Sequence, residues 1–389
     1  MDPLLRINQN MINAPAHLLV EALADGLRTE FDASGIELLL ADYQLVCLMP
    51  VLAPDHGQES LSAGPAAACF TSQRPHDTED ADGRWRLHLP VSVRGDRLGV
   101  LRMTLPGTPD SALAARLLLL TDGFAHLLAA CDRVTDRYVL LRRVRRLTLA
   151  SEMQWSLLPG RGHSRDDFDF AGQLEPAYAV RGDNFDWSRN DDEFTFTVTN
   201  GMGEGLEAAV LTTVAIHGLR NARRAGLGLA EQASLADQAL YSRHRGEMNV
   251  ASLLLQVTLS TGEVSMVDAG SPMVLRLTGD DVAPVSLRRQ PPLGAFDDTE
   301  YTEQRLRLLP GDRLIVLSDG ATDLTDGAGV RYSERAMRHA LRRSRNSSAL
   351  DTVRTILSDL LTYFGRSPLD DDAVVTCFDW HGPQRGARR

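Results

Sequence analysis

Phe194-Thr-Phe-Thr-Val-Thr-Asn200-Gly-Met-Gly-Glu-Gly-Leu-Glu-Ala-Ala209 changes its hydrophobic period at a cluster of glycines. Up to Thr199 the apolar residues alternate with threonine, the pattern of a half-buried strand. From Leu206 onward the spacing turns helical and stays so to Arg224. Between the two lies Asn200-Gly-Met-Gly203, a short polar side chain at a strand end beside glycines that let a backbone carbonyl or a substrate come close.

The same juncture recurs along the chain. Gly182-Asp183 lies upstream, Ser318-Asp319-Gly320 follows an apolar strand over residues 313–317, and Asp370-Asp371-Asp372 precedes another over 373–378. A single Asp-Gly is usually a turn. Four such places at strand boundaries predict carboxylates and an amide gathered at one sheet edge, the oxygen-rich setting that Mg²⁺ and Mn²⁺ require. Around them the pattern predicts a helix over 229–243, strands over 250–259, 263–268, 272–277 and 305–309, and helices over 334–343 and 349–364. Adjacent strands with helices grouped between them imply an α+β domain, a mainly antiparallel sandwich covered by helices.

Upstream, residues 16–30 have helical periodicity, 35–40 and 44–51 are short apolar runs, and 84–93 alternate as a strand. Arg94-Gly-Asp-Arg97 then turns the chain into a second strand over 98–105, a hairpin. Residues 112–131 read as a helix with one buried face rather than a membrane span, because Arg116, Asp122 and His126 interrupt them. Residues 132–158 read as one helix, on which Leu140, Val144 and Leu147 would fit two turns of a coiled-coil seam. The expected division is therefore 14–131, a linker over 132–159, a domain over 160–380, and a disordered tail over 381–389.

The formal net charge of -11 makes nucleic acid a poor partner. Cys47, Cys69, Cys131 and Cys377 form no metal-binding spacing and suit a reducing cytoplasm. No basic-then-apolar leader opens the sequence, so the expectation is a cytoplasmic protein without a membrane partner. No phosphate-cradling glycine loop supports a nucleotide-binding enzyme.

Residues 14–131, with Leu98-Gly-Val-Leu101 after the hairpin, resemble a GAF domain. That resemblance implies a sensor of a small molecule or protein input. The last section is similar, over nearly its whole length, to the SpoIIE branch of the PPM (protein phosphatase 2C-like) phosphatases. The match runs through Ala150-Ser-Glu-Met-Gln-Trp-Ser-Leu-Leu-Pro159, Val180-Arg-Gly-Asp-Asn-Phe-Asp186, Asn200-Gly-Met-Gly-Glu-Gly-Leu-Glu-Ala-Ala209, Asp268-Ala-Gly-Ser-Pro272, Pro292-Leu-Gly294, Pro310-Gly-Asp312, Ser318-Asp-Gly320 and Asp371-Asp372. It implies an α-β-β-α sandwich and a hydrolase that removes phosphate from phosphoserine or phosphothreonine with two Mn²⁺ or Mg²⁺ ions. Asp183, Asn200, Asp319 and Asp371 are its implied catalytic residues, and these four with the Gly201 carbonyl its implied metal ligands. The implied substrate is a phosphorylated anti-sigma-factor antagonist in bacterial signal transduction. The sensor would gate activity through the linker helix, which could also pair two copies as a homodimer.

The sequence departs from that family at Asn200, where the family has a metal-bridging aspartate; Ser271 in place of His and Val374 in place of Thr are milder changes. Asn keeps one oxygen and loses the charge, so the site should hold a divalent cation more weakly. Glu204 or Asp186 could supply the missing oxygen, or Asn200, followed by glycine, could deamidate to Asp. The alternative function is a catalytically impaired scaffold that binds phosphoproteins.

Overall fold

The computed structural model describes residues 2–79, 84–143, 147–176, 180–270, 273–325, 329–365, 369 and 371–383. The chain divides into two compact units, Met1–Arg146 and Leu147–Arg389.

The first unit contains helices α1 (Pro3–Asn13), α2 (Leu19–Phe31), α3 (Pro65–Ser72), α4 (Ser111–Cys131) and α5 (Arg137–Leu141). Its strands β1 (Ser34–Ala41), β2 (Cys47–Pro50), β3 (Glu59–Ser60), β4 (His76–Glu79), β5 (Trp85–Val93) and β6 (Asp96–Leu105) form one antiparallel sheet in the order β3-β2-β1-β6-β5-β4. The predicted hairpin is β5–β6. One core joins Ile7 and Met11 of α1, Leu23 and Leu27 of α2, Leu38 and Leu40 of β1, Leu87 and Leu89 of β5, and Phe124 of α4. Two expectations change here. Helix α1 precedes residue 14 yet contributes to this core; Asp2 caps it by accepting from the Leu4 N–H at 2.9 Å. Residues 132–158 are not one helix: α5 ends at Leu141 and the next helix starts at Leu149. Val134 and Leu140 are exposed, and Val144, central to the expected seam, lies outside the described residues. Helix α4 is long and apolar enough to cross a membrane by composition, but Leu117, Leu120, Phe124 and Leu128 bury one face of it in the core.

The second unit begins with α6 (Leu149–Leu157), followed by β7 (Gly162–Ser164), β8 (Phe168–Glu175), β9 (Asp183–Asn190) and β10 (Glu193–Gly201). Then come α7 (Gly205–Arg224), α8 (Leu229–His244), β11 (Val250–Thr258), β12 (Glu263–Ala269), β13 (Met273–Thr278), β14 (Asp281–Pro284), β15 (Gln304–Arg307) and β16 (Arg313–Leu317). The chain ends with α9 (Asp319–Thr322), α10 (Tyr332–Arg335), α11 (Met337–Arg343), α12 (Ala349–Phe364) and β17 (Ala373–Trp380).

Two antiparallel sheets result, β15-β12-β11-β10-β9 and β14-β13-β16-β17-β8-β7. Phe168, Phe170, Phe194, Phe196, Leu255, Met266, Val316, Val374 and Phe378 fill the space between them. Apolar residues of α7 and α8 pack on the outer face of the first sheet with Leu254 and Val267, and α12 packs on β8 and β17 of the second. This is the expected α-β-β-α sandwich. The two sheets bring their polar strand ends together. In the first, Asn200 stands opposite Asp183. In the second, Leu317 opposes Val375, which sets Ser318-Asp319-Gly320 beside Asp371-Asp372.

Candidate metal centre and its family

Asp183 is wholly buried at the first residue of β9. Neither of its carboxylate oxygens receives a hydrogen bond. Burial, then the charges of Asp372 and Asp319, hold this carboxyl well above the usual carboxylate range, and Asp371 adds to the effect. The nearby Ser318 hydroxyl offsets part of the shift, but its oxygen is also engaged, accepting from the Val374 N–H at 2.9 Å. Asp371 is half-buried, and its carboxyl is pushed up to about 6 by burial, then by Asp319 and Asp372, against the opposing charge of Arg181. Its Oδ1 accepts from the Asp372 N–H at 2.8 Å. Asp319 is exposed and accepts from the Gly320 N–H at 2.9 Å.

The three carboxylates therefore act on one another, as their places at neighbouring strand ends require. Asn200 joins the sheets directly: its Nδ2 donates to Asp319 Oδ1. An amide N–H is no ligand for a cation, and in this arrangement it occupies an oxygen that could be one. Among the described residues no three His, Cys, Asp or Glu side chains stand as a ready metal cluster. Asp370 and the Ser271-Pro272 motif lie outside those residues.

The backbone around Asp183 is tightly held. Gly182 has φ +91, and a methyl group there would lie 2.8 Å from the Gly201 carbonyl oxygen, so only glycine lets the two loops approach. Asp372 Oδ2 accepts from the N–H groups of Arg181 (2.7 Å) and Gly182 (3.0 Å) and from Gln154 Nε2 (2.8 Å). Gln154 Nε2 also donates to the Asp183 carbonyl at 3.0 Å, tying α6 to the site. The Thr212 hydroxyl donates to the Gly182 carbonyl at 2.6 Å. Sequence reasoning missed Gln154 and Thr212. A glutamine in an apolar helix was the only available sign of the first; nothing local distinguishes the second.

Of the two proposed substitutes for the absent carboxylate at position 200, Asp186 is committed elsewhere. Asp186 is buried and bound by Arg220 at 2.7 Å and Arg223 at 3.1 Å. Glu204 is exposed at the N-cap of α7. Deamidation of Asn200 is also opposed by the fold. Its attacking group would be the Gly201 N–H, which instead donates to the Gly182 carbonyl at 3.2 Å, while Asn200 is paired on both sides in the sheet.

Residues 190–381 match the family described as Stage II sporulation protein E (SpoIIE). This part of the chain is a SpoIIE-type PPM phosphatase domain. It includes Asn200, Asp319 and Asp371; Asp183 and Gln154 precede it in the chain. The RsbU and RsbW domains of Rv1364c from Mycobacterium tuberculosis are 20% identical, with a TM-score of 0.48, over 56% of this chain and 63% of that one. The SiaA-PP2C domain of Pseudomonas aeruginosa is 20% identical, with a TM-score of 0.49, over 54% and 85%. The PP2C phosphatase domain and regulatory-domain fragment of SpoIIE from Bacillus subtilis is 18% identical, with a TM-score of 0.49, over 57% and 66%. No curated protein matches the chain.

Proposed function

We propose that this chain is a metal-dependent phosphoserine/phosphothreonine protein phosphatase of bacterial signalling, whose SpoIIE-type domain takes its input from the first unit. The observation that carries the reading is Asp183, a carboxylate with no exposure and no donor nearby but the Ser318 hydroxyl, set beside Asp319 and Asp371. Such a group is destabilising unless a proton or a cation accompanies it, and the oxygen set suits a hard divalent ion. Asp183, Asp319, Asp371, Asn200 through its side-chain oxygen, and the Gly201 carbonyl would hold Mn²⁺ or Mg²⁺, two ions as in the family. When bound, the ions supply an activated water for attack on phosphorus and offset the charge of the phosphoryl oxygens.

The chain's own residues prepare that chemistry. Asp372 and Gln154 fix the Arg181–Asp183 backbone, Thr212 fixes the Gly182 carbonyl, and the buried wall behind Asp183 excludes water from one side. Because Asn200 must turn its amide so that the oxygen faces a cation, occupancy competes with the Asn200–Asp319 hydrogen bond. The phosphoprotein would be an anti-sigma-factor antagonist of a partner-switching circuit. The first unit would act as a GAF-like sensor whose signal arrives through residues 132–158, the last part of which, α6, carries Gln154 into the site.

One observation favours a second reading, a phosphoprotein-binding scaffold without turnover: the Asn200 amide satisfies Asp319 with no metal needed. Hydrolysis of a generic aryl phosphate with and without Mn²⁺ separates the two. The phosphatase reading expects Mn²⁺-dependent turnover in wild type, a rise of about tenfold or more in Asn200→Asp as an anionic ligand returns, and loss in Asp319→Ala. Turnover in Asn200→Asp alone would establish the scaffold, and equal turnover in wild type and Asp319→Ala would remove the metal assignment.

A further inference from the structure

Met202, Leu206 and Phe296 are large apolar side chains left 50%, 48% and 62% exposed. They come from segments that meet beside the candidate metal centre. Met202 directly follows the Asn200-Gly201 end of β10, and Leu206 lies in the first turn of α7. The Met202 N–H donates to the Asn249 carbonyl at 3.0 Å, and a methyl group at Gly203 would lie 3.2 Å from Met248 Cε. The same 246–250 segment also meets the loop between β14 and β15. The Val250 N–H donates to the Leu293 carbonyl at 2.9 Å, and a methyl group at Gly246 would lie 2.9 Å from the Ala295 carbonyl oxygen. The loop that carries Phe296 is held in place from below. Asp237 of α8, wholly buried, accepts from the Gly294 N–H at 2.7 Å and from the Tyr301 hydroxyl at 3.2 Å. The Thr299 carbonyl accepts from the Ser234 hydroxyl at 3.2 Å, and Gln290 Oε1 from the Thr302 N–H at 2.7 Å. A loop fixed on both sides of an exposed phenylalanine is ordered before anything binds, which removes part of the cost of binding.

Exposed apolar residues grouped around an aromatic are the usual anchors of a docking surface, and the charge around these names the occupant. In the same three segments Glu204, Glu207, Glu247, Asp297, Asp298 and Glu300 are exposed and, among the described residues, make no ion pair, against two exposed arginines, Arg243 and Arg245. A second copy of this chain, with its net charge of -11, is repelled by such a rim. A basic segment is attracted, and it also brings the positive charge that a phosphate needs to approach carboxylates. We propose that this surface docks the phosphoprotein through a basic, apolar segment that flanks its phosphorylated residue: an apolar side chain lies on Phe296, Met202 and Leu206, and lysines or arginines face the acidic rim. The inference rests on the reading that the Asp183–Asp319–Asp371 cluster receives phosphoproteins, and it adds the chemistry by which one is chosen. Met202 follows Asn200 by two residues, so a chain whose phosphoserine reaches the cluster passes over this surface.

The test uses the full chain and three fluorescein-labelled phosphoserine peptides: one with leucine and lysine flanks, one with the lysines replaced by glutamate, and one with the leucines replaced by serine. Anisotropy is read in chelator, so that no turnover intervenes. Wild type should prefer the first peptide about tenfold or more over either of the others. Phe296→Ser should weaken that peptide about tenfold and Asp297→Lys severalfold, while both variants hydrolyse a generic aryl phosphate, which is too small to span the surface, at the wild-type rate. Equal binding of the three peptides, binding of none, or an affinity unmoved by Phe296→Ser overturns the proposal. So does a wild type that self-associates in sedimentation and becomes monomeric in Phe296→Ser, which would assign the surface to a second copy. Phe296-dependent binding without Mn²⁺-dependent hydrolysis of any substrate would sink the phosphatase reading and keep the docking surface. Mn²⁺-dependent hydrolysis of the first peptide with KM unmoved by Phe296→Ser would do the reverse.

Discussion

Replacing Asp371 by asparagine should make the metal-free protein more stable at neutral pH and less stable once Mn²⁺ is added. The carboxyl moves from 3.8 to about 6 on folding, chiefly through burial and the charge of Asp319. A carboxyl raised in the folded state binds more protons there than in the unfolded chain, so its contribution is fully present below about pH 4 and is lost as pH rises through about 6. Two pKa units correspond to about 3 kcal/mol, and because Asp371 is partly solvent-exposed, screening reduces this to about 1–2 kcal/mol. In a unit of this size that is roughly 2–8 °C in Tm. Thermal unfolding of wild type and Asp371→Asn in chelator should therefore coincide near pH 4 and separate by that amount by pH 7, with the variant higher. Taking the difference between the two proteins cancels the carboxylates remote from the site, while Asp183, which the Asp371 charge also pushes up, adds to the difference with the same sign. Saturating Mn²⁺ should invert the order at pH 7, since only the intact ligand set gains the binding term. A pH-independent offset in chelator, or a wild type that gains on the variant as pH rises without metal, would refute the claim that these carboxylates crowd one site.

Two further outcomes follow from the loop geometry. Gly182→Ala forces a left-handed backbone on a residue with a side chain and drives its methyl against the Gly201 carbonyl, so denaturant unfolding should show a loss of roughly 2 kcal/mol or more together with loss of Mn²⁺ binding. Gln154→Ala strips a buried donor from both Asp372 and the Asp183 carbonyl; it should cost about 1–3 kcal/mol and, through the freed loop, lower Mn²⁺-dependent hydrolysis by more than it lowers Mn²⁺ affinity.

Where period and punctuation agree, the sequence is a good guide. Helix α12 spans the residues its apolar spacing predicts, and β10, β16 and β17 end or begin at the polar residues expected of them. β9 was not legible as a strand, because Asp183 and Asn184 are given over to the site and Asp186 to the arginines of α7 rather than to alternation. The role of Asp186 misled for the same reason. A carboxylate near a glycine-rich turn suggests a ligand until Arg220 and Arg223, more than thirty residues away, are seen to hold it. Gln154 depends on a partner 218 residues distant, a separation at which no local pattern operates. The stretch over 132–158 has helix-favouring residues throughout, yet it belongs to two units, and that division overrides propensity.

The asparagine at position 200 has opposite effects on the empty and the metal-filled site. A carboxylate there would stand opposite Asp183 in the ladder and against Asp319 across the sheets, adding negative charge where burial and its acidic neighbours already disfavour the charged form of Asp183. The amide turns one repulsion into a hydrogen bond and removes the charge, so it stabilises the empty site. The same two effects oppose the filled one: a ligand charge is missing, and the bond to Asp319 must break before the side-chain oxygen can face a cation. Asn200→Asp should therefore raise Mn²⁺ affinity while lowering the stability of the chelated protein, and the sensitivity of wild type to metal concentration is set by the balance of those two terms. On the proposed function, the threshold for activity would then lie in the Asn200–Asp319 contact, and a shift of α6 and Gln154 against the Asp183 loop would act there too.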